Sequence, residues 1–532
     1  MTLVQRFWHI FLVLTLFWGC RKPTTANWDV DVIIPVVNSS LNIRNFVGDT
    51  LFTKDNTGLL HFSYNREIAA LKMDSLLKIP DTTITKSFLN DFWLPITLKP
   101  GDSIPIPASD LKFDFGNGMS LKQTDIRSGT LLVKFSNDVT QPMDLEYKLP
   151  GTTKNGLPFV IKETIPPGKN SLIKTYKMDG YSMNLQGANG TRYNTISQTF
   201  KLSLNPSAQQ VDVPPNKGAA VEVTYTELVP EFVLGYFGQQ LVDIPTDTTF
   251  TDFNKNFKAS EFMLSEATLK FTIVNEFGVD FSGNISNVKS INTIASKTLS
   301  LINDQLATIN INRASRSGTT LFPTTKVLTF NNSNSNIAAF ISNLPNKICY
   351  GGEIKMNPVP PGNISGYNDF AFYNTGIRIL ADIDIPMRFS ANYFELSSDA
   401  GVDFSTTTQL DKVKQGRFVI YAQNGFPFSA QLQGYMYDAQ NNLLDSIFIA
   451  GANTIDRGQL NADNIVISRG KTTLYIPVDL AKIANLKKTT RIKVRSLLLM
   501  PPNPPEIKLM DTYTLDIKIV AEVNYNVGLN SN

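Results

Sequence analysis

The sequence predicts a mostly β protein: tandem antiparallel β-sandwich-like domains with few short helices. Three observations carry this. Apolar and polar residues alternate with a period of two along much of the chain. The alternating segments are short and broken by Gly, Pro and Asn. One alternating pattern recurs three times at near-domain spacing.

The alternation is plain in three places. Val30, Val32 and Ile34 alternate with Asp29, Asp31 and Ile33. Val221, Val223 and Tyr225 alternate with Glu222, Thr224 and Thr226. Leu515, Ile517 and Ile519 alternate with Asp516, Lys518 and Val520. Each set puts one apolar face on a core. Helical signals are few. Residues 336–342 place Ile337, Phe340 and Ile341 on one face, and residues 479–486 start near Asp479. Residues 67–77 are the third candidate.

The recurring pattern is an asparagine preceded by apolar residues at minus six, minus four and minus two, and followed by one at plus two. The copies are Leu131, Val133, Phe135, Asn137, Val139; Leu269, Phe271, Ile273, Asn275, Phe277; and Phe418, Ile420, Ala422, Asn424, Phe426. Each resumes as a second strand. Asparagine suits a bend between strands because it tolerates left-handed backbone and can bond its own backbone two residues on. The third copy adds the turn dipeptide Asn424-Gly425. An internal repeat of this kind implies three related β domains, at 108–228, 229–375 and 376–532, with boundaries near the Pro-rich stretches 206–215 and 357–361. Residues 20–107 are then an N-terminal extension. The Pro-rich stretch 501–505 reads as a stiff, extended loop.

The start of the chain has the form of an export signal. Arg6 precedes an apolar run from Phe7 to Phe17, too short to span a membrane, and Gly19-Cys20 ends it. A small residue before a cysteine is the pattern of lipoprotein signals. Cys20 is therefore the expected lipid-attachment residue and residues 1–19 the signal peptide. Cys349 then has no partner for a disulfide and reads as a small core residue.

Composition excludes several functions. The chain has 49 Lys+Arg and 46 Asp+Glu, and losing Arg6 leaves an excess of about two cations. That gives no electrostatic drive toward nucleic acid. His9 leaves with the signal, so a single histidine, His61, remains. One histidine cannot build a multi-histidine metal site, and any histidine-based triad would have to use His61. Its setting, Leu59-Leu60-His61-Phe62-Ser63-Tyr64, reads as an ordinary strand. No P-loop, HExxH or CxxC spacing occurs. The residues thus call for no catalytic group, cofactor or metal, and only paired-carboxylate chemistry stays open.

Several phrases carry a resemblance: Trp28-Asp29-Val30-Asp31-Val32-Ile33-Ile34-Pro35, Asp382-Ile383-Asp384-Ile385-Pro386-Met387 and Asn424-Gly425-Phe426-Pro427-Phe428. The chain resembles a group of large Bacteroidota envelope lipoproteins. Within it, length and β-rich composition are most similar to the plug component of the type 9 secretion translocon. In that group, acidic residues after the lipidated cysteine accompany surface export. Arg21 and Lys22 stand there instead, which implies the periplasmic face of the outer membrane. The expectation is a non-enzymatic, lipid-anchored subunit docking on an outer-membrane β-barrel. The alternatives are a surface glycan-binding or adhesive lipoprotein, or a hydrophobic-ligand carrier. The tryptophans left after the signal, Trp28 and Trp93, are few for sugar platforms.

Overall fold

Antiparallel strands carry most of the chain, as the period-two alternation requires. The computed structural model describes residues 26–42, 52–104, 106–250, 257–360, 362–401, 413–448, 453–500 and 506–529. The signal segment, Cys20, Arg21, Lys22 and the Pro-rich stretch 501–505 lie outside the described residues.

The strands that set the architecture are β1 (Ala26–Leu41), β2 (Leu60–Lys72), β3 (Thr82–Leu89), β4 (Ser120–Asn137), β5 (Gly218–Tyr236), β6 (Thr268–Asn275), β7 (Gly376–Pro386), β8 (Val413–Asn424) and β9 (Leu515–Leu529). Each strand that ends in a repeated asparagine pairs with a later strand in the same way. Asn137 lies opposite Ala219, Asn275 opposite Ile377 and Asn424 opposite Leu515. The backbone N–H that follows each asparagine donates across the pair: Asp138 to Gly218, Glu276 to Gly376 and Gly425 to Thr514. The three copies therefore share topology as well as pattern.

The N-terminal segment is not a separate extension. It supplies one strand to each unit, in reverse order. β3 pairs with the free edge of β5, β2 with that of β7, and β1 with that of β9. Local alternation cannot reveal such pairing, because it specifies faces and not partners. The expected boundaries shift accordingly. Position 228/229 falls inside β5. β7 pairs with β6, so the second sheet continues past residue 375. Residues 206–215 form no boundary; they connect Thr195–Leu204 to β5 within the first unit.

Two glycines stand where an N-terminal strand ends against its host. A Cβ on Gly218 would sit 1.9 Å from the Phe88 carbonyl oxygen, and one on Gly376 2.4 Å from that of Leu71. Backbone cannot yield as a side chain can. Gly376→Ala should cost about 1–3 kcal/mol, read as a lower urea midpoint at unchanged slope.

The helices partly follow expectation. Ile337–Ser342 (α2) buries Ile337 and Phe340, and Leu480–Lys488 (α3) has Asp479 as its N-cap, accepting from the Lys482 N–H at 2.8 Å. Residues 67–77 are different. Their first part is the end of β2, paired with β7, and only Met73–Leu76 (α1) is helical. The sheet edge overrides the helix-forming run Ile68-Ala69-Ala70-Leu71. Among the described residues, no helix is long and apolar enough to cross a membrane.

Val221, Val223 and Tyr225 are buried as the alternation predicts, whereas Val30 is 43% exposed near the start of edge strand β1. Pro35 sits beside a register shift in β1, which suits an edge strand. At the other end of β1, Ser40 Oγ donates to Asp516 Oδ1 at 2.5 Å, and Arg469 pairs with the same carboxylate. The Ser40 hydrogen bond has the largest effect on the Asp516 pKa; burial opposes it, Arg469 adds to it, and the net result lies below the usual value. A depressed carboxylate stabilises above its unfolded pKa and loses that contribution as pH falls through its folded one. Ser40→Ala should therefore raise the Asp516 titration midpoint, measured by carboxyl-carbon NMR.

The three units follow one another in series. The bend after Asn275 meets the far end of the first unit: Gly278 N–H donates to Phe370 O, and Asp369–Phe372 pairs with the last part of β5. The segment leading into β9 meets the far end of the second unit: Leu509 N–H donates to Met387 O, and Leu60 N–H to Leu509 O. Each joint covers the asparagine-bend end of the following unit. The corresponding end of the first unit has no unit before it, and β1 begins at the opposite end of the third.

Candidate functional site

The repeated asparagines act through their side chains. All three are buried, at 0%, 0% and 1% exposure. Each Oδ1 accepts the N–H two residues on, at 2.9 Å from Val139, Phe277 and Phe426. Each Nδ2 donates to the carbonyl four residues on, at 2.9 Å from Gln141, Val279 and Phe428. Asn137 and Asn275 also donate to a third segment, at Ile165 O and Asn312 O. The carboxamide thus clamps a strand, its bend and the returning strand. Left-handed backbone plays no part here: positive φ occurs at other asparagines, such as Asn155 and Asn464, but at none of these three.

A fourth clamp follows β3. Asn90 is buried, and its Oδ1 accepts from Phe92 N–H at 3.0 Å. Its Nδ2 donates to Leu94 O at 2.9 Å and to Val213 O at 2.8 Å. Lys86 stands at the minus-four place where the other copies have an apolar residue, which hides this copy from a search on the pattern.

The fourth bend turns its apolar residues the other way. At plus two, Val139, Phe277 and Phe426 are buried at 3%, 1% and 5%. Phe92, at the same place, is 67% exposed; Trp93 is 83% exposed and Leu94 51%. The bend is held firmly nonetheless. Besides the clamp, Asn90 N–H donates to Lys217 O and Asn216 N–H to Asn90 O, and Ile96–Leu98 pairs with Val211–Val213. Neighbouring loops at this end carry exposed prolines: Pro95, Pro166, Pro167, Pro206 and Pro214. Proline and the clamps limit the freedom such loops would lose on binding. The result is a braced, solvent-facing aromatic bend at the end of the first unit that, among the described residues, no other unit covers. In the sequence, its only signal is the run Asn90-Asp91-Phe92-Trp93-Leu94-Pro95.

His61 lies elsewhere, in a cleft of about 460 Å³ where the second and third units meet, with Asp55, Glu266, Arg388, Asp463 and Lys508. Its Nδ1 is 3.0 Å from Asp384 Oδ1, and its Nε2 is 3.9 Å from Asp55 Oδ2. In a Ser-His-Asp triad, one ring nitrogen meets the carboxylate and the other the nucleophile. Here both face carboxylates. Ser63, the nearby hydroxyl, also bonds Asp384, at 3.4 Å. Asp55 is itself anchored by Thr57, whose hydroxyl is the main cause of its lowered pKa. Cys349, expected in the core, is half-buried in a strand, with Thr248 Oγ1 3.2 Å from its sulfur. Among the described residues, no group of three or more His, Cys, Asp or Glu is placed to hold a metal ion.

No protein-family model matches the chain, and comparison with curated proteins finds no match. Among solved structures, a protein of Parabacteroides distasonis that is thought to be secreted aligns over 94% of this chain and 99% of its own, at 7% identity and a TM-score of 0.26. The VP2 subviral particle of infectious bursal disease virus aligns over 87% of this chain and 84% of its own, at 9% identity and a TM-score of 0.12. Scores this low transfer neither fold nor function.

Proposed function

We propose that the chain is a non-enzymatic subunit, lipid-anchored through Cys20 on the periplasmic face of the outer membrane, that docks on an outer-membrane β-barrel. Plugging of the type 9 secretion translocon is its most specific form, and that form rests on the sequence resemblance alone. The observation that carries the docking reading is the braced bend at Phe92-Trp93-Leu94. Aromatic side chains presented in solvent on a braced backbone bury much area on binding, a property of interface hot spots. β1 starts six residues after Cys20 and is paired along its length with β9, so the lipid would hold the third unit, with the bend at the other extreme. Gentle solubilisation of membranes and purification of a tagged copy tests the proposal. An integral barrel protein should be retained at a fixed ratio; its absence would refute docking.

A further inference from the structure

We infer that the Phe92-Trp93-Leu94 bend inserts into an apolar recess of a folded protein partner, and not into the lipid leaflet. This rests on the docking reading above and names the contact that performs it.

Three observations select a protein as the occupant. First, the corresponding bends of the other two units lie at protein joints. The bend after Asn275 is closed over by Phe370: a Cβ on Gly278 would lie 2.1 Å from its ring. Phe426 meets the ring of Tyr513 at 6.1 Å. Among the described residues, no other unit is seated on the same end of the first unit. Second, the charge is wrong for an anionic leaflet. Membrane-inserting loops draw on flanking Lys and Arg. Here Asp91, Asp102, Asp138 and Asp212 accompany Lys99, Lys169 and Lys217, so the end carries no excess of cations, and Lys217 is paired with Asp138 at 3.6 Å. Third, the bend and β1 occupy opposite ends of the series, so the lipid on Cys20 does not bring this end to the membrane.

The chemistry of the recess follows from the bend. It must accept two aromatic rings and a leucine, and it needs an acceptor for the Trp93 indole N–H, since a buried donor left unpaired would cost affinity. An acceptor near its rim that tolerates the Asp91 carboxylate, or a cation that pairs with it, completes the match.

The test uses the full lipidated chain, purified from gently solubilised membranes with its barrel partner quantified. Trp93→Asp should lower the partner's affinity about 30-fold or more. Leu157→Asp, at another exposed apolar site (72%) at the other end of the same unit, should leave retention unchanged. Both variants should melt with the wild type. Equal retention by Trp93→Asp would overturn the inference while leaving docking intact; no barrel on the wild type would overturn docking itself. In a second arm, the lipidated chain is placed in vesicles containing brominated phosphatidylcholine, and its emission is compared with that of Trp93→Phe. No quenching assignable to Trp93 is expected, and clear quenching would make lipid the occupant.

Discussion

Asn275→Asp should destabilise the protein by about 3–5 kcal/mol at neutral pH, at least as much as Asn275→Ala. The side chain is fully buried, accepts from Phe277 N–H, and donates to the carbonyls of Val279 and Asn312. Alanine leaves all three groups unpaired. Aspartate keeps the acceptor but sets a carboxylate against two carbonyl oxygens. Its folded pKa would then rise above the unfolded value of about 3.9. The sign follows: below the unfolded pKa both states are protonated and no ionisation penalty exists. As pH rises through that value the penalty grows, until the folded pKa is reached. Urea titrations at several pH values should therefore show Asn275→Asp recovering toward Asn275→Ala in acid. A variant as stable as wild type at neutral pH would show that the carboxamide donor bonds contribute nothing.

Removing residues 26–41 should have the second-largest effect, confined to the third unit. β1 covers β9 from Leu41 opposite Leu515 to Ala26 opposite Leu529. Without it, β9 becomes an open edge, a template for pairing with another chain. Hydrogen exchange should report at least about 100-fold less protection in Leu515–Leu529. Protection in Ser120–Asn137, where β4 pairs with β5, should persist. Loss of protection throughout would mean that the three units fold as one cooperative block.

Much of the fold was legible because it is local. Val221, Val223 and Tyr225 point to a core in any alternating strand, and Asp479 caps a helix by a bond to a residue three positions on. The asparagine repeat was legible for the same reason: its bonds reach two and four residues along the chain. The lacing of β1, β2 and β3 through the three units in reverse order was not. It joins residues as distant as Ala26 and Leu529, and alternation says nothing about which edge a strand will find. Residues 67–71 were misread for the same cause, since their helix-forming composition yields to the open edge of β7.

The candidate site was hidden in two ways. Lys86 breaks the apolar pattern before Asn90, and nothing in the run Phe92-Trp93-Leu94 says whether it faces core or water. The equivalent residues Val139, Phe277 and Phe426 are buried, so analogy among the copies would have placed Phe92 inside. Its exposure follows from position in the series, because the first unit has no predecessor to cover it. His61 drew attention by its rarity, yet its Nδ1 bonds Asp384 and its Nε2 faces the Asp55 carboxylate at 3.9 Å.

The most direct test of the account asks which end of the body lies near the membrane. One dye is placed at position 93 and another at position 480, exposed at the start of α3 near the far end of the third unit. The lipidated protein is set on vesicles carrying an acceptor in the leaflet, and energy transfer is read from each site. Strong transfer from position 480 and little from position 93 is expected, because the docking bend is held away from the anchored end. Equal transfer from both, or stronger transfer from position 93, would contradict it.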